Sequence, residues 1–458
     1  MEARLRAIED RLREQTARAA DSSAAGRVAH NHDFAPSIIP FSFADFSWAP
    51  GNYSPPEAPL HWGPFNGEIR VDAAYHYSFA NPVDDTISGS SEVFRHAEFQ
   101  LTQLGIGGDF YYRGVHARLM TQFGMYSQAT PRNDPSTARG QWRLDDAYRY
   151  ISEAYAGYHI DALAGINIQA GIFMSYVGLW SYYNFDNWTY QPSYVSSNTP
   201  WFFDGIRIQI YVNDRLKIEP WLVNGWQAYG RFNEAPGFGL QLRWSPTAWL
   251  SLVGNQYVGT DTLGVRARVR LHTDDSVMAR LYENTHAAVN RAAVSLTIDA
   301  GCEVGDGTPT VQATHCTDQY FVGFMAYTRL WFAHDLLAAT LGGGAISNPG
   351  RYLVLLPPIN GATAYTGTPY FTANPGDPFM AWDLQTTLDL MPTRNLTFRV
   401  EYTHRAASVP YFTGHGGVTP PLGSSYVNQG APGSSVPGWQ PDLVNTEDRM
   451  TAALLVRL

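Results

Sequence analysis

From Gly67 to Leu458 the chain alternates apolar and polar side chains in segments of about ten residues, and no other feature restricts its fold so strongly. Successive side chains of a β-strand point to opposite faces, so each segment reads as a strand with one apolar and one polar face. Ile69, Val71, Ala73, Tyr75, Tyr77 and Phe79 alternate with Arg70, Asp72, Ala74, His76 and Ser78. Ile206, Ile208 and Ile210 oppose Arg207, Gln209 and Tyr211, and Phe398, Val400 and Tyr402 oppose Arg399, Glu401 and Thr403. The pattern predicts strands over 67–79, 97–109, 114–127, 148–159, 166–175, 203–212, 216–225, 237–245, 248–258, 276–284, 291–299, 319–331, 335–346, 379–391, 394–405 and 446–458.

The connections between these strands are long and short in strict turn. A meander whose long loops all lie at one end and whose tight turns lie at the other is the plan of an outer-membrane barrel. Residues 264–272 (GVRARVRLH) also alternate, but counting them separately breaks the parity, so they are taken as a loop or a strand extension. The expected fold is all-β: a transmembrane antiparallel up-and-down β-barrel of about 16 strands over 67–458, preceded by a short N-terminal helix.

Composition separates a barrel in lipid from a sandwich in water. Only 16% of residues are charged, against ~25% in ordinary soluble chains. A sandwich needs charge on its outer face, whereas here the polar phase is rich in Gln, Thr, Ser and Tyr. The apolar phase ends in aromatics: Trp244 and Trp249 flank one short turn, Trp331 precedes another, and Tyr75, Tyr77 and Phe79 approach a long loop. Interfacial girdles occupy such positions. In hydrocarbon every backbone N–H and C=O must pair, which forces the sheet to close.

Several function classes are excluded or left without support. With 31 Lys+Arg against 41 Asp+Glu the net charge is −10, which gives no electrostatic footprint for nucleic acid. No run of ~18 apolar residues marks a transmembrane helix. GxSxG, HExxH and phosphate-cradling loops are absent, so no enzyme is expected and neither cofactor nor metal is called for. His30, Asn31, His32 and Asp33 form a lone HNHD in a linker and read as incidental.

The opening MEARLRAIEDRLREQ is charged and helical and lacks the apolar core of an export signal; if the protein is exported, the sequence is mature, truncated or given a wrong start. Met1, Leu5, Ile8 and Leu12 keep coiled-coil spacing for barely two heptads, so residues 1–20 read as a helix that either frays in solvent or oligomerises the chain. Residues 21–66 read as a linker and a short segment packed on the barrel. Cys302 and Cys316, within a Gly/Thr/Asp-rich stretch, read as a disulfide formed in an oxidising compartment, with two free thiols as the alternative.

A barrel of 16–18 strands is wide enough for an aqueous channel. The polar phase then supplies pore-lining candidates: Arg70, Arg118, Arg207, Gln209, Arg243, Arg280, Tyr282, Arg399 and Glu401. Individually these side chains read as solvated wall; as a set they make the lumen locally basic and predict mild anion preference. The loop at 176–202 is too aromatic to stand in water. It carries Trp180, Tyr182, Tyr183, Trp188 and the lone acid Asp186, and is expected to constrict the lumen or pack against a neighbouring subunit. Stacked aromatics suit sugar faces; they also suit a packed plug. Arg266, Arg268 and Arg270 suggest an anion-attracting pore mouth, with lipopolysaccharide contact and pairing to nearby acids as the alternatives.

The stretches LGIGGDFYY (104–112), TQFGMYS (121–127), NFDNW (184–188), GTDTLG (259–264), NPGRYLVLLPPING (348–361), NPGDP (374–378) and HGGVTPP (415–421) resemble those of the OmpL-like beta-barrel porins of Gram-negative bacteria, over about 40–458. The resemblance implies an outer-membrane location and passive passage of small solutes such as oligosaccharides, to which the basic polar phase adds anions. It assigns no binding residues. One departure is the last residue, Leu458, where such barrels often carry an aromatic. The expected partners are outer-membrane lipids, lipopolysaccharide, small solutes and further copies of the chain in a homotrimer, and no nucleic acid. The alternative function is a structural outer-membrane barrel with a plugged lumen, tethered or oligomerised by its N-terminal helix.

Overall fold

A computed structural model describes residues 40–51, 59–90, 92–131, 134–138, 140–231, 235–261, 268–305, 315–318, 320–349, 379–419 and 441–458. The expected helix at 1–20, the HNHD segment and the NPGRYLVLLPPING loop beyond 349 lie outside them.

Sixteen strands form the barrel. In chain order they are β1 (Phe65–Ser78), β2 (Glu98–Tyr112), β3 (Val115–Thr121), β4 (Ile151–Ile160), β5 (Ile166–Met174), β6 (Phe202–Tyr211), β7 (Leu216–Val223) and β8 (Gly237–Thr247). Next come β9 (Leu250–Gly259), β10 (Val269–Glu283), β11 (Val289–Val304), β12 (Tyr320–Phe332), β13 (Leu337–Ser347), β14 (Met380–Thr393), β15 (Leu396–Ala407) and β16 (Thr446–Arg457). Each pairs antiparallel with its chain neighbours, and β16 returns to β1 along a register running from Arg449 opposite Ser78 to Arg457 opposite Arg70. The sheet therefore has no free edge, as a sheet in lipid requires.

Local chemistry sets the turns. Arg113 and Gly114, both at positive φ (50° and 82°), join β2 to β3 in a two-residue hairpin of the kind that matches strand twist. The alternation reads directly as two walls. Ile206 is 42% exposed and Trp244 and Trp249 49% each, on the outer side, while Arg207 and Gln209 face inward beside them. On β14 the outward Trp382, Leu384, Leu388 and Leu390 are exposed and the inward Asp383, Gln385 and Asp389 buried.

Four local expectations are corrected. The third strand stops at Thr121 rather than 127, because the chain turns into a short helix at Tyr126–Ala129 whose ring and methyl groups are buried. The tenth begins at Val269, so the last part of 264–272 is a strand extension paired with β11. Trp331 is not a girdle residue: it points into the lumen and meets Trp188 edge-on at 5.8 Å. Tyr282 does not line the pore. A register shift between Arg280 and Tyr282 reverses the phase at the end of β10 and leaves Tyr282 42% exposed on the outer wall.

Candidate functional site

The lumen is the candidate site, and the loop 176–202 occupies much of it. Most of its aromatics are buried: Tyr190 at 0% exposure, Tyr194 at 1% and Trp188 at 4%. Trp180 donates its indole N–H to the Met325 sulfur (3.0 Å) and meets Tyr327 edge-on. Tyr182 donates to Gln122 (2.6 Å), and Tyr183 donates to Glu153 (2.6 Å) while Arg70 lies over its ring. Trp188 donates to the Trp48 carbonyl (3.2 Å). Asp186 accepts from Arg70 (3.2 Å) and Arg457 (3.3 Å), which belong to the first and last strands.

Buried charges of the wall hold the backbone of this loop. Arg399 donates to the carbonyls of Asn184, Asn187 and Thr189 and is paired with Asp389 (2.8 Å). Glu401 accepts the N–H groups of Tyr190 and Gln191, and Asp383 that of Tyr194. Such charge-assisted bonds satisfy a loop that carries little regular structure of its own. The sequence does not foresee this role: Arg399 and Glu401, expected to line water, lie beneath the loop at 2% and 1% exposure. Arg70 and Arg118 behave similarly. Arg70 pairs with Glu68 and Asp186, and Arg118 with Glu68, Asp109 and Glu153.

The other expected wall residues are more open. Arg207 and Gln209 on β6, Arg243 on β8 and Arg280 on β10 are half-buried on the inner face. Arg207 stacks on Tyr155, Phe173 and Trp221, and Gln209 donates to Glu219 (2.9 Å). Arg280 pairs with Glu283 (3.0 Å). Lys217, opposite Arg243 in the sheet, is paired with Glu219 (2.6 Å) and is absent from the expected set although it holds the polar phase of its strand. Arg207, Lys217 and Arg243 thus line the inner face of β6–β8 with one lumenal acid, Glu219, which pairs with Lys217.

Residues 40–51 also enter the lumen. Phe41 N–H donates to the Asp214 carbonyl at a short turn, and Gly51 N–H to the Asp186 carbonyl. Between them Phe46, Trp48 and Ala49 are buried. Beside this segment, at the short-turn end, is a cavity of about 350 Å³ bordered by Asp45, Arg291, Arg329, Asp335, Asp389 and Arg394.

At the opposite end, the mouth arginines are engaged. Arg268 lies 3.6 Å from Glu303, while Arg270 pairs with Glu303 (3.1 Å) and covers Trp226. Arg266 lies outside the described residues. Cys302 and Cys316 form a disulfide. Cys302 follows the outward phase of Ile298 and Ala300, so the bridge sits against the outer wall, where Cys316 and Thr317 border a groove with Phe238, Val258 and Leu271. Below it, midway along β10, an exposed polar chain crosses the outer wall: Gln256 donates to Thr273 (2.7 Å) and Thr273 to Asp275 (2.8 Å). Among the described residues no group of three or more His, Cys, Asp or Glu is placed to hold a metal ion.

A family model described as "Putative beta-barrel porin-2, OmpL-like" matches residues 65–427. No curated protein sequence matches the chain. Among solved structures it is similar to an anion-selective porin from Comamonas acidovorans (8% identity, 86% of this chain and 99% of that one, TM-score 0.48) and to OprB of Pseudomonas putida (10%, 86% and 94%, 0.48). It is also similar to the outer membrane channel DcaP of Acinetobacter baumannii (11%, 86% and 97%, 0.47).

Proposed function

The chain belongs to the OmpL-like beta-barrel porin family, and from that premise we propose that it is a restrictive outer-membrane porin with a preference for small anions. The short turns face the periplasm and the long loops the exterior, as in other barrels of this plan. The observation that carries the reading is the uneven charge of the inner wall. On β1, β3, β12 and β15 the arginines are neutralised by carboxylates and by the inward loop. On β6–β8 three lumenal cations stand against one lumenal acid, Glu219, which pairs with Lys217, and the excess charge lies where the wall is half-buried rather than sealed. A cationic strip in a low-dielectric tube draws anions and repels cations. No catalytic step is assigned to any residue.

Planar-bilayer recording tests this. A salt gradient should give a reversal potential on the chloride side, and replacing Arg207 and Lys217 together by Gln should move it towards zero. A cation-side potential overturns the reading. A second reading, the plugged structural barrel, is favoured by the near-complete burial of Trp188 and Tyr190; it predicts a silent bilayer.

The same reading includes self-association. A carboxylate facing hydrocarbon costs a few kcal/mol near the bilayer centre, and Asp275 with Thr273 and Gln256 sits there on the outer wall. A neighbouring copy covering this face, as in a trimer, removes that contact with lipid, while lipids and lipopolysaccharide cover the rest.

A further inference from the structure

We propose that Arg243 is a binding station for the carboxylate of a small organic acid, an inference that rests on the channel reading and names its solute class. Arg243 borders a partly open cavity of about 260 Å³ lined by the inward loop, by residues 49–51 and by the wall. At about 30 Å³ per water the space equals on the order of eight or nine waters, enough for an acid of a few carbons. Its polar lining includes Ser175, Ser181, Thr199 and Gln241, and Arg243 is its one charged member; no carboxylate borders it.

Arg243 differs from most arginines of the inner wall. Arg70, Arg118, Arg280, Arg329 and Arg399 each have a carboxylate within 4 Å. Arg243 has none among the described residues, and its Nε is buried without a hydrogen-bond partner. The Phe41 ring lies 4.9 Å from its guanidinium carbon, which orients the plane but supplies no charge. The nearest strand neighbour of like sign, Lys217, already has Glu219. A desolvated guanidinium left uncompensated is costly, so the site is one that an anion stabilises. The planar fork matches a carboxylate through two parallel hydrogen bonds. The remaining walls are Met174, Trp201, Val253, Met278 and Pro50, which suit a short apolar tail and not a second charge.

Butyrate is the probe, with inorganic phosphate as comparator. Added to the refolded protein in detergent, butyrate should change the tryptophan fluorescence saturably, since Trp180 and Trp201 border the cavity. In a bilayer it should reduce chloride current with the same half-saturation. Arg243→Gln should weaken both effects by about tenfold or more, the loss expected of a bidentate charged pair. Arg243→Lys, which keeps the charge without the fork, should fall between. Heat-modifiable migration on gels verifies that each variant folds; if Arg243→Gln does not, Arg243→Lys decides the matter.

Fluorescence titration with a silent bilayer leaves the station standing and removes the channel. Chloride conduction without saturation by butyrate overturns the station and leaves the channel. Equal response to phosphate and butyrate, or unaltered binding in the folded variants, also overturns it.

Discussion

Arg399 places its whole guanidinium on the inward loop and one acid, three carbonyls plus Asp389. It is therefore a tether and not a solute contact. Removing one member of a buried, hydrogen-bonded charge pair costs about 3–5 kcal/mol, because the partner is left uncompensated. Arg399→Ala should lose stability of that order in urea titrations of the refolded barrel and should give larger, noisier single-channel currents. Unchanged stability and current would remove the tether role. Asp134, in the long loop between β3 and β4, is a second residue with a measurable signature. Burial raises its carboxyl to about 6, although Ser136 and the Tyr229 N–H donate to it and pull the other way. Between the unfolded value of 3.8 and about 6 the folded loop holds a proton that the unfolded one has lost. The stabilisation is thus fully present below the unfolded value and lost as pH rises through about 6. Limited proteolysis of this loop should slow on going from pH 7.5 to 5, and Asp134→Asn should flatten the dependence.

At the scale of elements, the strands are legible in the sequence because lipid and water impose a two-residue period on every one of them. Lys217 shows the limit. Its phase is readable, but its neighbourhood with Arg207 and Arg243 depends on the pairing of β6, β7 and β8, which no single strand encodes. Tyr282 defeats the pattern for a related reason: one extra residue after Arg280 reverses the rest of the strand, and a bulge leaves no mark in a pattern of alternation. The inward course of 176–202 is legible as too aromatic for water, but its anchors on Arg399, Glu401 and Asp383 are not, since they come from strands some 200 residues away. Replacing 181–189 by a Gly/Ser linker should raise conductance by about twofold or more while far-ultraviolet dichroism keeps its strand signature. An unchanged current would show that solutes bypass this loop. The disulfide is a local feature by contrast. Cys302 and Cys316 close a 14-residue separation outside the wall, so reduction should leave the barrel's thermal transition in place.

For the whole molecule, the outer wall carries a prediction of its own. If Asp275 contacts a second copy, Asp275→Leu should convert the oligomer seen by native mass spectrometry to monomer while raising the stability of the monomeric barrel in lipid. An oligomer unaffected by the change places the interface elsewhere. Closure of the sheet is implied by the parity of loops and turns. The occupants of the interior are not, because residues 40–51 and 176–202 reach the lumen through contacts that only the closed cylinder creates.

Asp186 sits where those contacts converge. One carboxylate holds Arg70 near the beginning of the cylinder and Arg457 near its end, residues that stand opposite each other at the seam. A chain of this design can gather its two terminal staves around a central latch before the backbone zipper between them is complete. The filling then helps to draw the cask shut, and Asp186→Ala should slow refolding into vesicles more than it weakens the finished barrel.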